Sequence, residues 1–312
     1  MGTKHTFCVA EHLLQISFED SAHNDIRLLP SFASFSVEED NDGCLVYGNG
    51  NKCVSTSTDM LFCLNVDDNI SVVPKEERSR VDIFDTGNGK TTVDVKTDGG
   101  YQFIIKDIAG HSCCMLQTKN FTEAQCALNG SKEMRRFGLN NALMMLYAFR
   151  GSFFNTLLIH ASLVRNNGYG YAFIAHSGTG KSTHTSLWLK YIEGSDLMND
   201  DNPIVRIIDN KPVIYGSPWS GKTPCYRNIK APLGAVTKID RAKQNSVERL
   251  SPTIAFSQVL PSCSSMKWDK VVFRNTYDTV IKLIETIPSV NVLHCLPDED
   301  AARTCYNAIA IK

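Results

Sequence analysis

The sequence predicts a mixed α/β (α+β) chain, with a β-rich N-terminal domain over 1–130 and a second domain over 131–312 that ends in helices. Three observations lead there. Up to about residue 130, short apolar runs alternate with turn clusters. Near Ser131 a helical period takes over. Beyond it, "YAFIAHSGTGKSTHTSLWLK", Tyr171 to Lys190, joins an apolar strand to a helix through a glycine-rich loop.

Composition narrows the class further. A length of 312 residues suits about two domains, and 43% hydrophobic with 21% charged residues suits a globular protein with a sizeable core. A net charge of −1 offers no global attraction to nucleic acid or to an anionic membrane. The eleven cysteines are an odd number without a C-x-x-C pair, so they read as reduced, buried thiols and neither as a disulfide framework nor as a zinc site. The N-terminal "MGTKHTFCVAEHLLQ" shows no secretory leader, and a cytoplasmic location is expected. The most apolar stretch, Asn141 to Val164, is broken by Arg150, Asn155 and His160, so it reads as a buried helix followed by a strand, with no membrane span.

In the first domain "HTFCVA", "LLQISF", "FASFSV", "GCLVYG", "TTVDVKT", "YQFIIKDI" and "SCCMLQT" read as strands. "DNDG", "GNGN", "DTGNGK" and "TDGG" read as the turns between them. Met134, Phe137, Leu139, Ala142, Leu143, Leu146 and Phe149 then recur near helical spacing, with Gly151 as a stop. This helix either closes the first domain or opens the second. "TLLIHASLVRN" and "YGYAFIA" form a hairpin across Asn167 and Gly168, and "PIVRII" and "PVIYG" form another across Asp209 and Asn210. "LGAVTKI" and "VNVLHCL" are strands. "PTIAFSQVL", "KVVFRNTYDTVIKLIETI" and "EDAARTCYNAIA" make the C-terminal third mainly helical.

The loop carries the chemistry. Glycines let a backbone curl so that successive N–H groups face a phosphate, and the following helix adds its free N–H groups and positive dipole end. S-G-x-G-K-[ST] would arise by chance in roughly one chain of this length in a thousand. Lys181 would reach the β- and γ-phosphates, and the Ser182 hydroxyl would ligate Mg²⁺. Ala175 stands where the usual pattern has its first glycine, which is acceptable if that residue keeps a negative φ. Downstream, "LMNDDNP" sets Asp200 and Asp201 at the edge of an apolar stretch. One carboxylate can hold Mg²⁺ while the other takes a proton from an incoming hydroxyl.

This order of S-G-x-G-K-[ST] and paired aspartates resembles the superfamily of HPr kinase/phosphorylase and the ATP-dependent phosphoenolpyruvate carboxykinases. His160 on the preceding strand is similar to the kinase branch. The resemblance covers about Leu157 to Val236 and departs from the family at Ala175 and His176. It implies a phosphoenolpyruvate-carboxykinase-like P-loop nucleotide-binding domain that uses ATP and Mg²⁺. In it Ser177, Gly178, Thr179, Gly180, Lys181, Ser182 and Thr183 would bind the triphosphate. Asp200 would be the general base and Asp201, with Ser182, the metal side, although the two aspartates could exchange roles. His160 would stand near the transferred phosphate. The superfamily also implies a possible homo-oligomer.

Between Tyr215 and Lys243 lie Lys222, Arg227, Lys230, Lys238, Arg241 and Lys243 against the single acid Asp240. Phosphoryl transfer needs cations over the developing charge, and Lys222 and Arg227, then Lys230, are the candidates. His176, His184 and Trp219 read as incidental or packing residues. The leading expectation is an ATP-dependent kinase acting on a hydroxyl, plausibly a serine of a protein, a peptide or the free amino acid. The N-terminal region holds only Arg27, Arg78 and Arg80, in no recognisable motif, which disfavours an enzyme acting on oxaloacetate. The remaining alternative is an ATP-sensing module that transfers nothing.

Overall fold

The computed structural model of the chain describes all residues but Met1, Asp20, Asn49, 54–58, Thr86, Gly87, Ser177, Lys222 and Lys312. The expected phosphate contacts of Ser177 and Lys222 therefore lie outside the described residues. The chain is of the α+β class, with two sheets in two compact units, Met1–Arg150 and Gly151–Lys312.

The first unit carries β1 (Thr3–Val9), β2 (His12–Phe18), β3 (Ser36–Glu39), β4 (Leu45–Tyr47), β5 (Met60–Val66), β6 (Arg78–Asp85), β7 (Gly89–Lys96), β8 (Tyr101–Asp107), β9 (Ser112–Thr118) and β10 (Glu123–Leu128). They form one sheet in the order β4-β3-β1-β2-β5-β10-β9-β8-β7-β6. Neighbours are antiparallel except that β5 runs parallel to both β2 and β10. The strand expected at "FASFSV" begins instead as a 3-10 turn over Pro30–Phe35, and only Ser36 onward is extended. Proline opens that turn, and the three-residue spacing buries Phe32 and Phe35 together.

The helix α1 (Lys132–Gly151) closes this unit, so the boundary falls at 150/151 and not at 130/131. Its apolar face decides that. Phe149 packs edge-on against Phe121 at 5.7 Å and the Tyr147 hydroxyl donates to the Val9 carbonyl. Gly138 lies so close to β9 that a Cβ there would meet the Cys114 Cβ at 2.7 Å.

The second unit holds β11 (Thr156–Leu158), β12 (Ala161–Asn166), β13 (Tyr169–Ile174), α2 (Lys181–Tyr191), β14 (Asp196–Asp201), β15 (Ile204–Ile208), β16 (Lys211–Tyr215), β17 (Lys230–Arg241), β18 (Ser246–Arg249), α3 (Pro252–Val259), α4 (Lys270–Thr286), β19 (Ser289–Cys295) and α5 (Glu299–Ile309). Both expected hairpins form, with φ of 48° and 81° at Asn167 and Gly168, and 48° and 58° at Asp209 and Asn210. Paired positive φ is the primed turn that matches strand twist.

Strand direction positions everything that follows. β17 pairs in parallel with β13 and with β19, while β12 is antiparallel to both β13 and β14. The carboxyl ends of β13, β14, β17 and β19 therefore share one edge of the sheet, and the start of β12 stands there too. Helices cover both faces. Val280 and Leu283 of α4 and Val259 of α3 share one core with Leu163, Ile214 and Val236. Trp188 of α2 and Ala302 and Cys305 of α5 share the other with Tyr171, Phe173 and Leu293. Among the described residues no helix is long and apolar enough to cross a membrane.

His184 is enclosed in the second of these cores. Its ring meets Phe173 edge-on at 4.8 Å, and Nε2 accepts the Trp188 indole N–H at 3.1 Å. The proton must then sit on Nδ1. Burial lowers its pKa from 6.5 to about 4. The folded value lies below the unfolded one, so the stability it contributes is full above pH 6.5 and drains away as pH falls toward 4. Urea denaturation near neutrality and again near pH 4.5 should show wild type losing up to about 3 kcal/mol relative to His184→Gln. Parallel pH dependence in the two proteins would mean that His184 charges freely in the fold.

Candidate active site

At the carboxyl end of β13 the chain turns through the glycine-rich loop into α2. Gly178 and Gly180 have φ of 77° and 121°, which a side chain would resist, and the Thr179 N–H closes onto the His176 carbonyl at 3.1 Å. Ala175 is not among the described residues with positive φ, and its methyl packs against the core around Phe173 and Trp188. Alanine therefore meets the condition set for the missing glycine. α2 opens at Lys181, directly after Gly180, leaving the free N–H groups of its first turn at the loop. Arg241, the last residue of β17, braces the outer side by donating Nη2–H to the Gly178 carbonyl at 2.7 Å and Nε–H to that of Thr179 at 3.2 Å.

Two side-chain clusters meet at this loop. In the first, Asp200 is buried and accepts from the Ser162 hydroxyl at 2.8 Å and the Ser182 hydroxyl at 3.0 Å. Ser162 stands directly opposite Asp200 in the β12–β14 register, which sets that bond. Thr185 on α2 donates to the Ser162 oxygen at 2.7 Å. In the second, Lys181 Nζ lies 2.8 Å from His160 Nε2, and His160 Nδ1 lies 3.1 Å from Asp201 Oδ1. A lysine ammonium only donates, so His160 accepts at Nε2 and carries its proton at Nδ1, toward the carboxylate. Lys181 also donates to the Ala175 carbonyl at 3.3 Å. Desolvation lowers the Lys181 pKa, against the pull of Asp201 and Asp200.

The two aspartates thus differ in surroundings although they are adjacent. Strand alternation already separates neighbouring side chains, and Asp201 adds a φ of 144° that few L-residues adopt. That turn carries its carboxylate, some 30% exposed, to His160, while Asn202 Nδ2–H holds the other oxygen at 2.8 Å. The sequence left the order of the two aspartates open, and the Ser182 hydroxyl touches Asp200. The segment after β16 folds back over β14. Asn199 Nδ2 donates to the carbonyls of Trp219 and Cys225, and the Ser220 hydroxyl and Gly221 N–H both bond the Asp200 carbonyl. Trp219 is buried and packs, as expected.

Two expected cations stand elsewhere. Arg227 pairs with Asp196 at 2.6 Å and with the Leu197 carbonyl, and Arg165 shares the same carboxylate. Asp196 begins β14, at the sheet edge opposite the loop. Lys230 begins β17 beside Tyr215, also at that far edge. Of the described cations of this segment, Arg241, at its carboxyl end, bonds the loop carbonyls. Ser162, Thr185 and Asn199 escaped the sequence reading as well. Ser162 alone left a signal, since it lies two residues from His160 in the sequence.

The residues suit a magnesium ion. Asp200 is a buried carboxylate whose side-chain hydrogen bonds, among the described residues, come from neutral hydroxyls, with the Lys181 charge acting on it from beyond hydrogen-bond reach. Among the described residues no three His, Cys, Asp or Glu side chains form a metal cluster. Mg²⁺ held by one carboxylate, a hydroxyl and phosphate oxygens needs none. No protein-family model and no curated protein matches the chain.

The φ of Asp201 makes a testable point. Asp201→Gly should be about 1 kcal/mol more stable than Asp201→Ala in chemical denaturation, since both lose the carboxylate and only glycine relieves the backbone. Equal stability of the pair would show that no strain is held there.

Proposed function

We propose that the chain is an ATP- and Mg²⁺-dependent phosphotransferase of the kind that HPr kinase represents, with a hydroxyl as acceptor. The observation that carries this reading is the meeting of Ser182 with buried Asp200 beside the Asp201–His160–Lys181 chain, all at the mouth of one glycine loop. Ser182 and Asp200 would hold Mg²⁺, which would supply neutralisation of charge on the phosphates. Asp201 would accept the proton of the incoming hydroxyl, and His160 would orient that carboxylate through Nδ1–H. Lys181 would leave His160 for the β- and γ-phosphates once these enter. Gly178, Thr179, Gly180 and Thr183 would supply backbone N–H groups. The acceptor would be a serine of a protein or peptide, or free serine, as the resemblance of the loop and the aspartates implies.

Calorimetric titration with Mg²⁺·ATP should show binding to wild type and at least tenfold weaker binding to Lys181→Ala, a loss of about 1.4 kcal/mol or more. Asp201→Asn should keep nucleotide affinity and lose transfer from γ-labelled ATP to serine peptides or free serine. Wild type that binds no nucleotide would end the reading.

A further inference from the structure

Beside the loop lies a cavity of about 330 Å³ that the chemistry above leaves unused. Gly180 and Thr183 border it on the phosphate side, and Leu187, Ile239, Ala242, Leu296 and Pro297 give it apolar walls. It sits at the carboxyl ends of β17 and β19, the edge where parallel sheets take their ligands. Its volume is at the small end of ligand pockets, enough for one nucleoside. Among the described residues its lining contains no Asp, Glu, Asn or Gln side chain.

That last fact bears on base recognition. Guanine is selected by a carboxylate or amide that accepts from its N–H groups, and a site with such a group rejects bases lacking them by large factors. Two acids flank the lining in sequence: Asp240 pairs with Lys238 at 3.2 Å, and Asp298 is engaged at its Oδ1. Asp298 accepts from the Ala301 N–H at 2.8 Å as the cap of α5 and from Asn245 at 3.0 Å. Asn245 is spent in turn on Asp298, Asp300 and the Leu296 N–H. The charged group in the wall, Arg241, is committed to the loop carbonyls. The Thr179 and Thr183 hydroxyls, the Cys295 thiol and one buried imidazole complete the polar lining. His184 is 2% exposed, and its Nδ1 has no hydrogen-bond partner. An N–H donor can be answered by ring nitrogens that adenine and guanine have in common.

We infer that this cavity takes the purine of the nucleotide by apolar contact without reading its exocyclic groups, so that the site accepts ATP and GTP alike. The inference rests on the phosphate-site reading of the loop and adds to it a donor class and the place of the base. Binding energy then comes from two separable parts, the triphosphate on the loop and the base in the cavity.

Calorimetry with Mg²⁺·ATP, Mg²⁺·GTP and Mg²⁺·tripolyphosphate separates them. On wild type, ATP and GTP should bind within about threefold of each other, and tripolyphosphate at least tenfold more weakly than either. Ala242→Phe fills the cavity from a half-buried position just past β17, and Leu296→Trp does so from an exposed one, with circular dichroism checking that each is folded. Each should weaken ATP and GTP at least tenfold and leave tripolyphosphate within twofold. An ATP-to-GTP ratio beyond tenfold overturns the inference, as does tripolyphosphate binding as tightly as ATP, or two folded variants that bind ATP like wild type. In those three cases the phosphate-site reading survives. If none of the three ligands binds wild type, both fall together.

Discussion

The hydrogen bond from the Ser182 hydroxyl to the Asp200 carboxylate is the constraint on which the site depends. It joins the first turn of α2 to the end of β14, two elements that the chain brings together only by completing the sheet. A buried carboxylate is costly unless it is bonded, and hydroxyls of Ser162 and Ser182 bond this one. Its hydrogen-bond partners among the described residues are neutral hydroxyls, so a full charge at contact distance is missing there. A divalent cation would supply what is missing, and phosphate oxygens would complete that cation's shell. The same bond fixes the start of α2 and therefore the direction in which the loop presents its N–H groups.

The adjacent aspartate is held by different means. Asp201 is bent away by an unusual φ, steadied by Asn202 and linked through His160 to Lys181. Two neighbouring carboxylates in a strand would ordinarily face opposite sides of the sheet. Here one is buried and the other is partly exposed beside His160, which is the difference on which the proposed division between metal and proton rests. Asn199 supports this from behind by fastening the 217–225 segment, whose Ser220 and Gly221 hold the Asp200 carbonyl. A Cβ at Gly221 would come to 3.0 Å from that carbonyl, so a side chain there would press on the Asp200 backbone.

What could be read in the sequence was local. The loop, both hairpins and the helices of the second unit are each specified by residues within a few positions of one another, and all appear where their patterns put them. His160 was placed near the loop by its resemblance to the kinase branch, and it does touch Lys181. What could not be read depends on register and direction. Which aspartate meets Ser182 follows from the pairing of β12 with β14. Arg227 and Lys230 looked suitable because they follow the aspartates in sequence, but the direction of β17 carries them to the far edge while delivering Arg241 to the loop. In the first unit, α1 belongs with the sheet because of Phe149 and Tyr147, whose partners lie far back in the chain. The role of that unit is written in no motif.

The division of labour between the aspartates is the central claim, and the Mg²⁺ dependence of nucleotide affinity tests it most directly. ATP binding would be titrated with and without Mg²⁺ on wild type, Asp200→Asn and Asp201→Asn. The account predicts that Asp200→Asn loses the strengthening that Mg²⁺ gives, while Asp201→Asn retains it. Retention in Asp200→Asn together with loss in Asp201→Asn would contradict the account and restore the order that the resemblance implied.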